Sequence, residues 1–352
     1  MGNRPAWLDT VRSQVEFAGA APPRDRTGSE FDWEWFATRG PRASAPPPPG
    51  APFSTEWLAS HAEPLWDVRE RLADDTSRLV FDMHLVLRGA GPARFCFPRL
   101  EFTDWLVVHR REPFAVEGLP SDYLGRPLEV FDLTVAPTGA RVRVVATAMQ
   151  IGLCNAYRQY VPTRGGTPLG PRPGDVVLDC GACIGDFGIL FAALAGTGGG
   201  VHLFDPVPLH VRYCRHQMSL NPGLAGVLNP VQAAVGATTA SVAGATGDVE
   251  RVSPGGLAVD SYEQVSLDDY ADTAKLARVD IVKMDIEGAE PDALAGARDC
   301  LARLQPRLAI STYHRPEHLW EIPTAILAAN PSYRLHFGHH MPVKWESVYY
   351  AI

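Results

Sequence analysis

Residues 176–188, Val-Val-Leu-Asp-Cys-Gly-Ala-Cys-Ile-Gly-Asp-Phe-Gly, constrain this chain more than any other stretch. A buried apolar run enters a glycine-rich turn and leaves as a helix, which is how a parallel sheet begins its first crossover. Beyond Gly165 the same alternation continues. It predicts strands at 175–179, 200–205, 227–235, 279–285 and 308–313, with helices in the gaps. One of those helices, 291–304, carries Ala293, Leu294, Ala297, Leu301 and Leu304 on one face and starts with a proline suited to a first turn. Two strand-like runs, 333–337 and 346–352, predict a closing antiparallel pair. The expected fold is α/β: a doubly wound, Rossmann-like sheet, mostly parallel, with a closing antiparallel strand.

That domain would occupy residues 166–352. Residues 53–165 read as a mixed α/β accessory or cap region, covering the acceptor side of the site or forming a dimer contact. Ser54 or Thr55 can cap a helix through Trp57, Leu58, Leu65, Val68 and Leu72, a second helix follows at 79–87, and short β-rich runs fill 95–145. Residues 1–52 read as a tail and a stiff, Pro-rich linker, with four prolines at 46–49. Within the tail, Trp33, Trp35 and Phe36 are too apolar for a purely solvated segment.

A net charge of −8, from 32 basic and 40 acidic residues, argues against nucleic acid or an anionic membrane as partner. The six cysteines are scattered except for Cys180 and Cys183, and a long chain with few cysteines reads as a reduced, cytoplasmic protein. The first residues lack the apolar core of a secretory leader, and the longest apolar run, 187–196, is about half a membrane span. The expected partner is a small-molecule acceptor, with a homodimer left open.

The glycine turn points to a nucleotide-type cofactor. Gly181 and Gly185 let backbone approach a ligand, and the helix start at Asp186 offers free amides. A dinucleotide site would carry glycine where Asp179 stands, because a carboxylate there repels a pyrophosphate. The same carboxylate suits S-adenosylmethionine, which bears an ammonium and a sulfonium and no phosphate. Asp205, followed by Pro206, lies 26 residues after Asp179, about where a ribose-binding acid is expected. Asn221 and the 233–236 stretch, Ala234 included, are further expected cofactor contacts. Two plainer readings stand beside this one: a structural turn with Asp205 as a helix cap, and a redox pair made of Cys180 and Cys183, which read more simply as small buried fillers.

A second cluster, Lys283-x-Asp285-x-Glu287-Gly288-x-Glu290, falls at the end of a central strand, where open α/β sheets bind ligands. Asp285 can orient an acceptor hydroxyl, act as a base, or hold a divalent ion with a neighbour such as His314. His314 follows the next strand and reads as a general base, a hydrogen-bonded structural histidine or a metal ligand. Asp285 and His314 are the catalytic candidates, and no metal is assigned. Glu290 reads as a helix-terminal acid, and His339 and His340 as pocket-lining or loop residues.

At these residues the chain resembles the FkbM-type methyltransferases. The segment 177–186 is similar to the family's first motif, Val265-Ser266-Leu267-Asp268-Asp269-Tyr270 to a second, and 279–290 to its K-x-D-x-E-G-x-E hallmark. Tyr333, the His339-His340 pair and the 346–351 stretch resemble the end of longer members, and 73–78 with Phe81 resembles an upstream helix. Asp205 stands where the family usually has glutamate, and Gly338-His339-His340 where it has an arginine-containing version. The resemblance implies a class I fold and S-adenosylmethionine-dependent O-methylation of a small molecule, such as a sugar or polyketide-type natural product. The alternatives are carbon or nitrogen as nucleophile, a nicotinamide-dependent oxidoreductase, and a non-catalytic scaffold binding another protein through residues 1–165.

Overall fold

Val177 and Leu178 point to opposite faces of one strand and both are fully buried, so this strand must be covered on both sides. The computed structural model describes residues 3–20, 47–91, 94–95, 105–164, 166–243, 261–341 and 345–352. Trp33, Trp35, Phe36, Cys96 and the first part of the Pro-rich stretch lie outside these residues.

The central sheet has seven strands: β1 (Val176–Cys180), β2 (Gly200–Phe204), β3 (Leu228–Val231), β4 (Ile281–Met284), β5 (Arg307–Ser311), β6 (Leu335–His339) and β7 (Ser347–Ala351). Their spatial order is β6-β7-β5-β4-β1-β2-β3. The strands from β5 to β3 run parallel, and β7 is inserted antiparallel between β5 and β6. This is a Rossmann-like, doubly wound sheet with the expected closing antiparallel pair. The chain order reverses between β1 and β4, and that switch point opens a crevice at the strands' carboxyl ends.

Alternation along the strands feeds two cores. Leu178, Cys180, Val282, Met284, Leu308 and Ile310 face one side, where they meet Ala293, Leu301 and Ile322 together with Phe81, Leu85 and Trp7 from the helices Asp75–Ala90 and Arg4–Ala20. Val177, Val201, Leu203, Ile281 and Ala309 face the other, against the helix Asp186–Ala195 and an antiparallel meander of Leu106–Pro113, Arg126–Val135 and Ala140–Thr147. Capping fixes the helix starts: Ser54 accepts from the Trp57 amide, and Asp74 from the Ser77 amide at 2.7 Å. Among the described residues no helix is long and apolar enough to cross a membrane.

Two expected elements are interrupted. The helix over 291–304 is two short helices, Glu290–Ala295 and Arg298–Arg303. They part at Gly296, where a Cβ would stand 2.2 Å from the Gly236 carbonyl, so a neighbouring segment passes too close for a continuous helix face. The strand over 227–235 ends at Val231, and Ala234–Val235 leaves the sheet to pair with Ser261–Val265.

Candidate functional site

The glycine loop is held from below by charge. Asp179 is fully buried on β1, and its Oδ1 lies 2.9 Å from Lys283 Nζ on β4. The ammonium also donates to the Gly181 carbonyl at 2.8 Å, so this pair supports the loop directly. Burial pushes the Asp179 carboxyl up, with Lys283 opposing that shift. Burial likewise works against the lysine cation, but Asp179 and Asp285 outweigh it and keep Lys283 protonated.

Above the pair, Gly181 adopts φ +79°, and a Cβ there would sit 1.9 Å from the Asp285 carbonyl oxygen. Only glycine lets the β1 and β4 loops cross this closely. Asp205, just past β2, ties the loop to the next helix. Its Oδ2 accepts from the Cys183 amide at 3.0 Å, and its Oδ1 accepts from the Val207 amide at 2.9 Å and lies 3.0 Å from His210 Nδ1.

These groups border a cavity of about 580 Å3, within the range of small-molecule sites. One part is formed by Gly181, Ala182, Cys183, Asp205, Pro206, Ala233, Ala234 and Val235. Another is formed by Gln159, Tyr160, Tyr313, Arg315, Met341, Trp345 and Glu346. Six carboxylates line the whole, Asp186, Asp205, Asp285, Glu287, Asp292 and Glu346, against two cations, Lys283 and Arg315. Leu124, Cys183, Glu287 and Glu346 all border it with positive φ, a backbone cost that tends to collect at ligand-binding surfaces.

Asp285 lies where the two parts meet. Its Oδ1 accepts from the Tyr313 hydroxyl at 2.8 Å and its Oδ2 from the Tyr160 hydroxyl at 3.0 Å. Burial, reinforced by Asp285, raises both phenols well above their usual range, so both stay protonated as donors. Gln159 Nε2 donates to Tyr160 at 2.9 Å and to Glu346 Oε2. Burial, with Asp285 adding repulsion, pushes the Glu346 carboxyl up to about 8.

Gly181, Asp186, Asp205, Pro206, Ala234 and Asp285 line one cavity. Asp179 and Gly185 support it from behind. A Cβ on Gly185 would meet Cys214 Sγ at 3.0 Å, so that glycine serves helix packing.

Two expectations need correction. Asn221 is not at the cavity. It ends the helix Pro208–Leu220, and because crossover helices run antiparallel to the strands, that end lies at the opposite edge of the sheet. There its amide accepts from the Arg143 N–H at 2.8 Å and donates to the Arg143 carbonyl at 2.7 Å and the Gln217 carbonyl at 2.8 Å.

His314 does not fit a free general base. It packs behind Asp285, with its side chain 7% exposed, its Nδ1 3.0 Å from Glu290 Oε1 and its Nε2 3.4 Å from Asp285 Oδ1 and 3.5 Å from Glu287 Oε2. Burial lowers its pKa, but the three carboxylates outweigh that and hold it at about 9, so it already carries its proton at neutral pH.

Cys180 and Cys183 are free thiols. Burial pushes both far up, which leaves little thiolate for redox chemistry.

Sequence reasoning missed Gln159, Tyr160 and Glu346 as pocket residues. Gln159 and Tyr160 sit in a turn without a motif. Glu346 did carry a signal, an acid directly before the apolar run Ser347–Ala351.

Residues 179–337 match the sequence model of the Methyltransferase FkbM domain. Among solved structures, methyltransferase FkbM from Methylobacillus flagellatus KT matches with a TM-score of 0.54 and 21% identity, covering 84% of this chain. The match spans 60% of that protein's chain, and at this identity it shows the shared fold. Aeropyrum pernix fibrillarin, solved with natively bound S-adenosyl-L-methionine, matches over 70% of this chain and 99% of its own at 11% identity, with a TM-score of 0.34. No curated protein matches the chain.

Proposed function

Starting from the premise that residues 179–337 form a methyltransferase FkbM domain, we propose that this protein transfers a methyl group from S-adenosylmethionine to a hydroxyl of a small molecule, such as a sugar or polyketide-type product. The observation that carries the choice of donor is the excess of carboxylates around the glycine loop. Glu346 is largely protonated at neutral pH, but the other five acids still outnumber the two cations, which opposes a pyrophosphate and favours a cationic ligand. This speaks against the nicotinamide alternative.

The cofactor would be held by the Gly181–Ala182 backbone, by Asp205 for its sugar hydroxyls and by Ala233, Ala234 and Val235 along its base. When bound, it supplies an electrophilic methyl on a sulfonium. Everything else falls to the chain's own side chains. Tyr160 and Tyr313 fix Asp285 through two hydrogen bonds, so the carboxylate needs no reorganisation when an acceptor arrives. Met341 and Trp345 offer apolar walls to the same part of the cavity as Glu346. With Oε2 held by Gln159, the Glu346 Oε1 is the atom that takes the acceptor's hydroxyl proton. With its carboxyl held near 8, Glu346 takes that proton in its ionised fraction, which grows as the pH rises toward 8. Orienting the hydroxyl in line with the methyl carries most of the remaining load.

Calorimetric titration tests the donor: one equivalent of S-adenosylhomocysteine should bind and NADH should not. Binding of NADH alone would overturn the reading. The acceptor class is tested by incubation with S-adenosylmethionine and a panel of hydroxyl, amine and activated-carbon acceptors, followed by mass spectrometry. Methylation confined to amines or carbon would refute the oxygen assignment.

A further inference from the structure

Next to Asp285, but outside the residues that line the cavity, three side chains converge: Glu290 at the start of the helix Glu290–Ala295, His314 after β5, and His318 at the start of the helix His318–Ala329. The sequence reading treated Glu290 as a helix-terminal acid and assigned no metal. Among the described residues, these three form the one group of three or more histidine, cysteine or carboxylate side chains whose ligand atoms all lie within 4.8 Å of one another.

Their surroundings make the cluster costly as it stands. Glu290 and His318 have fully buried side chains, and His314 is 7% exposed. Glu290 Oε2, both ring nitrogens of His314 and both ring nitrogens of His318 find no hydrogen-bond partner of acceptable geometry. Five unsatisfied polar atoms around one point are unusual in a folded interior, where such groups are nearly always paired with protein, water or an ion. Glu290 Oε1 is already engaged by the Ile286 amide at 2.9 Å, so Oε2 is the oxygen left over.

The spacing suits a metal. Ligand atoms about 2.0–2.1 Å from a common tetrahedral ion stand roughly 3.3 Å apart. Here His318 Nδ1 is 3.6 Å from Glu290 Oε2, close to that separation, and one ligand atom from each of the three side chains lies within 4.8 Å of the others. The charge suits it as well. His314 Nε2 faces Asp285 Oδ1 and Glu287 Oε2, so the cluster lies in a field of three carboxylates that favours a dication. A metal on Nδ1 would leave Nε2–H to donate to Asp285, the carboxylate–histidine–metal relay that orients ligating imidazoles elsewhere.

We propose that Glu290, His314 and His318 form a binding site for one divalent transition ion of the borderline class that two imidazoles and a carboxylate select, Zn2+ being its type. The ion joins the β5 loop to the starts of two helices and positions His314 behind Asp285. It is a positioning and stabilising site, and it stands whether or not the methyl-transfer reading does. The competing account is a proton shared between His314 and Glu290, with His318 buried as a neutral ring.

The test uses the full chain, stripped with chelator and titrated with Co2+ as a spectroscopic substitute. The expected result is one saturable equivalent with visible d–d bands, no thiolate charge-transfer band, a raised unfolding temperature, and loss of that equivalent in His318→Gln and in Glu290→Gln. Should those variants fail to fold, anomalous diffraction from Co2+-soaked wild-type crystals locates the ion directly. No saturable binding, binding retained by both folded variants, a thiolate band, or anomalous density away from the three side chains would each overturn the proposal. Binding of S-adenosylhomocysteine, measured in parallel, reports on the cavity separately.

Discussion

Lys283 Nζ lies 2.9 Å from Asp179 Oδ1, and this contact joins adjacent strands β4 and β1 directly beneath the glycine loop. Both side chains are almost fully buried, so each is the other's main compensation for leaving water. Removing one should cost more than removing both. Lys283→Met is expected to lower the unfolding free energy by about 3–5 kcal/mol, and Asp179→Asn combined with Lys283→Met to recover part of it. Urea unfolding of the two single variants and the double variant measures the coupling, and strictly additive losses would contradict the pairing.

Gly181→Ala should disable the cavity with less effect on the rest of the fold. The added methyl would meet the Asp285 carbonyl at 1.9 Å, and the residue sits at φ +79°, so one loop has to move. A strain of about 1–3 kcal/mol placed on the binding loop corresponds to roughly 5- to 150-fold weaker binding of S-adenosylhomocysteine. Calorimetry against wild type reads it.

Asn221→Ala separates the cavity from the scaffold. The side chain makes three hydrogen bonds that tie the meander to the helix Pro208–Leu220 and borders a different hollow. Leaving those backbone groups unsatisfied is expected to cost about 1–3 kcal/mol of stability. The affinity for S-adenosylhomocysteine should not change, and a weakened affinity in a fully folded variant would place Asn221 back at the cofactor.

Glu346 should make stability fall as the pH rises. Its folded pKa, about 8, lies above the ordinary 4.5, so between these values the native state binds more protons than the unfolded chain. Its contribution is therefore fully present below about pH 4.5 and is lost as the pH rises through 8. Glu346→Gln mimics the protonated form and removes that slope. The unfolding temperature of the variant should gain on wild type steadily from pH 5 to pH 8, and parallel curves would show that the carboxyl is not raised.

The same substitution probes chemistry once an acceptor is in hand. Glu346→Gln is expected to lower kcat by about 10²- to 10⁴-fold, the usual contribution of a general base, while leaving cofactor affinity intact. An unaltered rate would move the proton to another group.

The strand, glycine turn and helix over 176–188, the acid after β2 and the acidic run after β4 were all legible from local pattern. Each follows from a short stretch whose periodicity and special residues admit one geometry. The break at Gly296 was not legible, because its cause, the Gly236 carbonyl, lies 60 residues away in sequence. Nor was the displacement of Asn221, whose place at the far edge depends on the direction of its helix relative to the sheet.

The sequence alone thus determined the layered sheet, the loop that receives a ligand and the acids at two strand ends, because backbone preference and hydrophobic alternation act over a few residues. Tertiary structure decided which polar groups meet. It set His314 against Glu290, brought Gln159 and Tyr160 beside Glu346, and buried Asp179 against Lys283. Those outcomes depend on desolvation and charge between residues more than a hundred positions apart in several cases, and no local pattern encodes a distance of that kind.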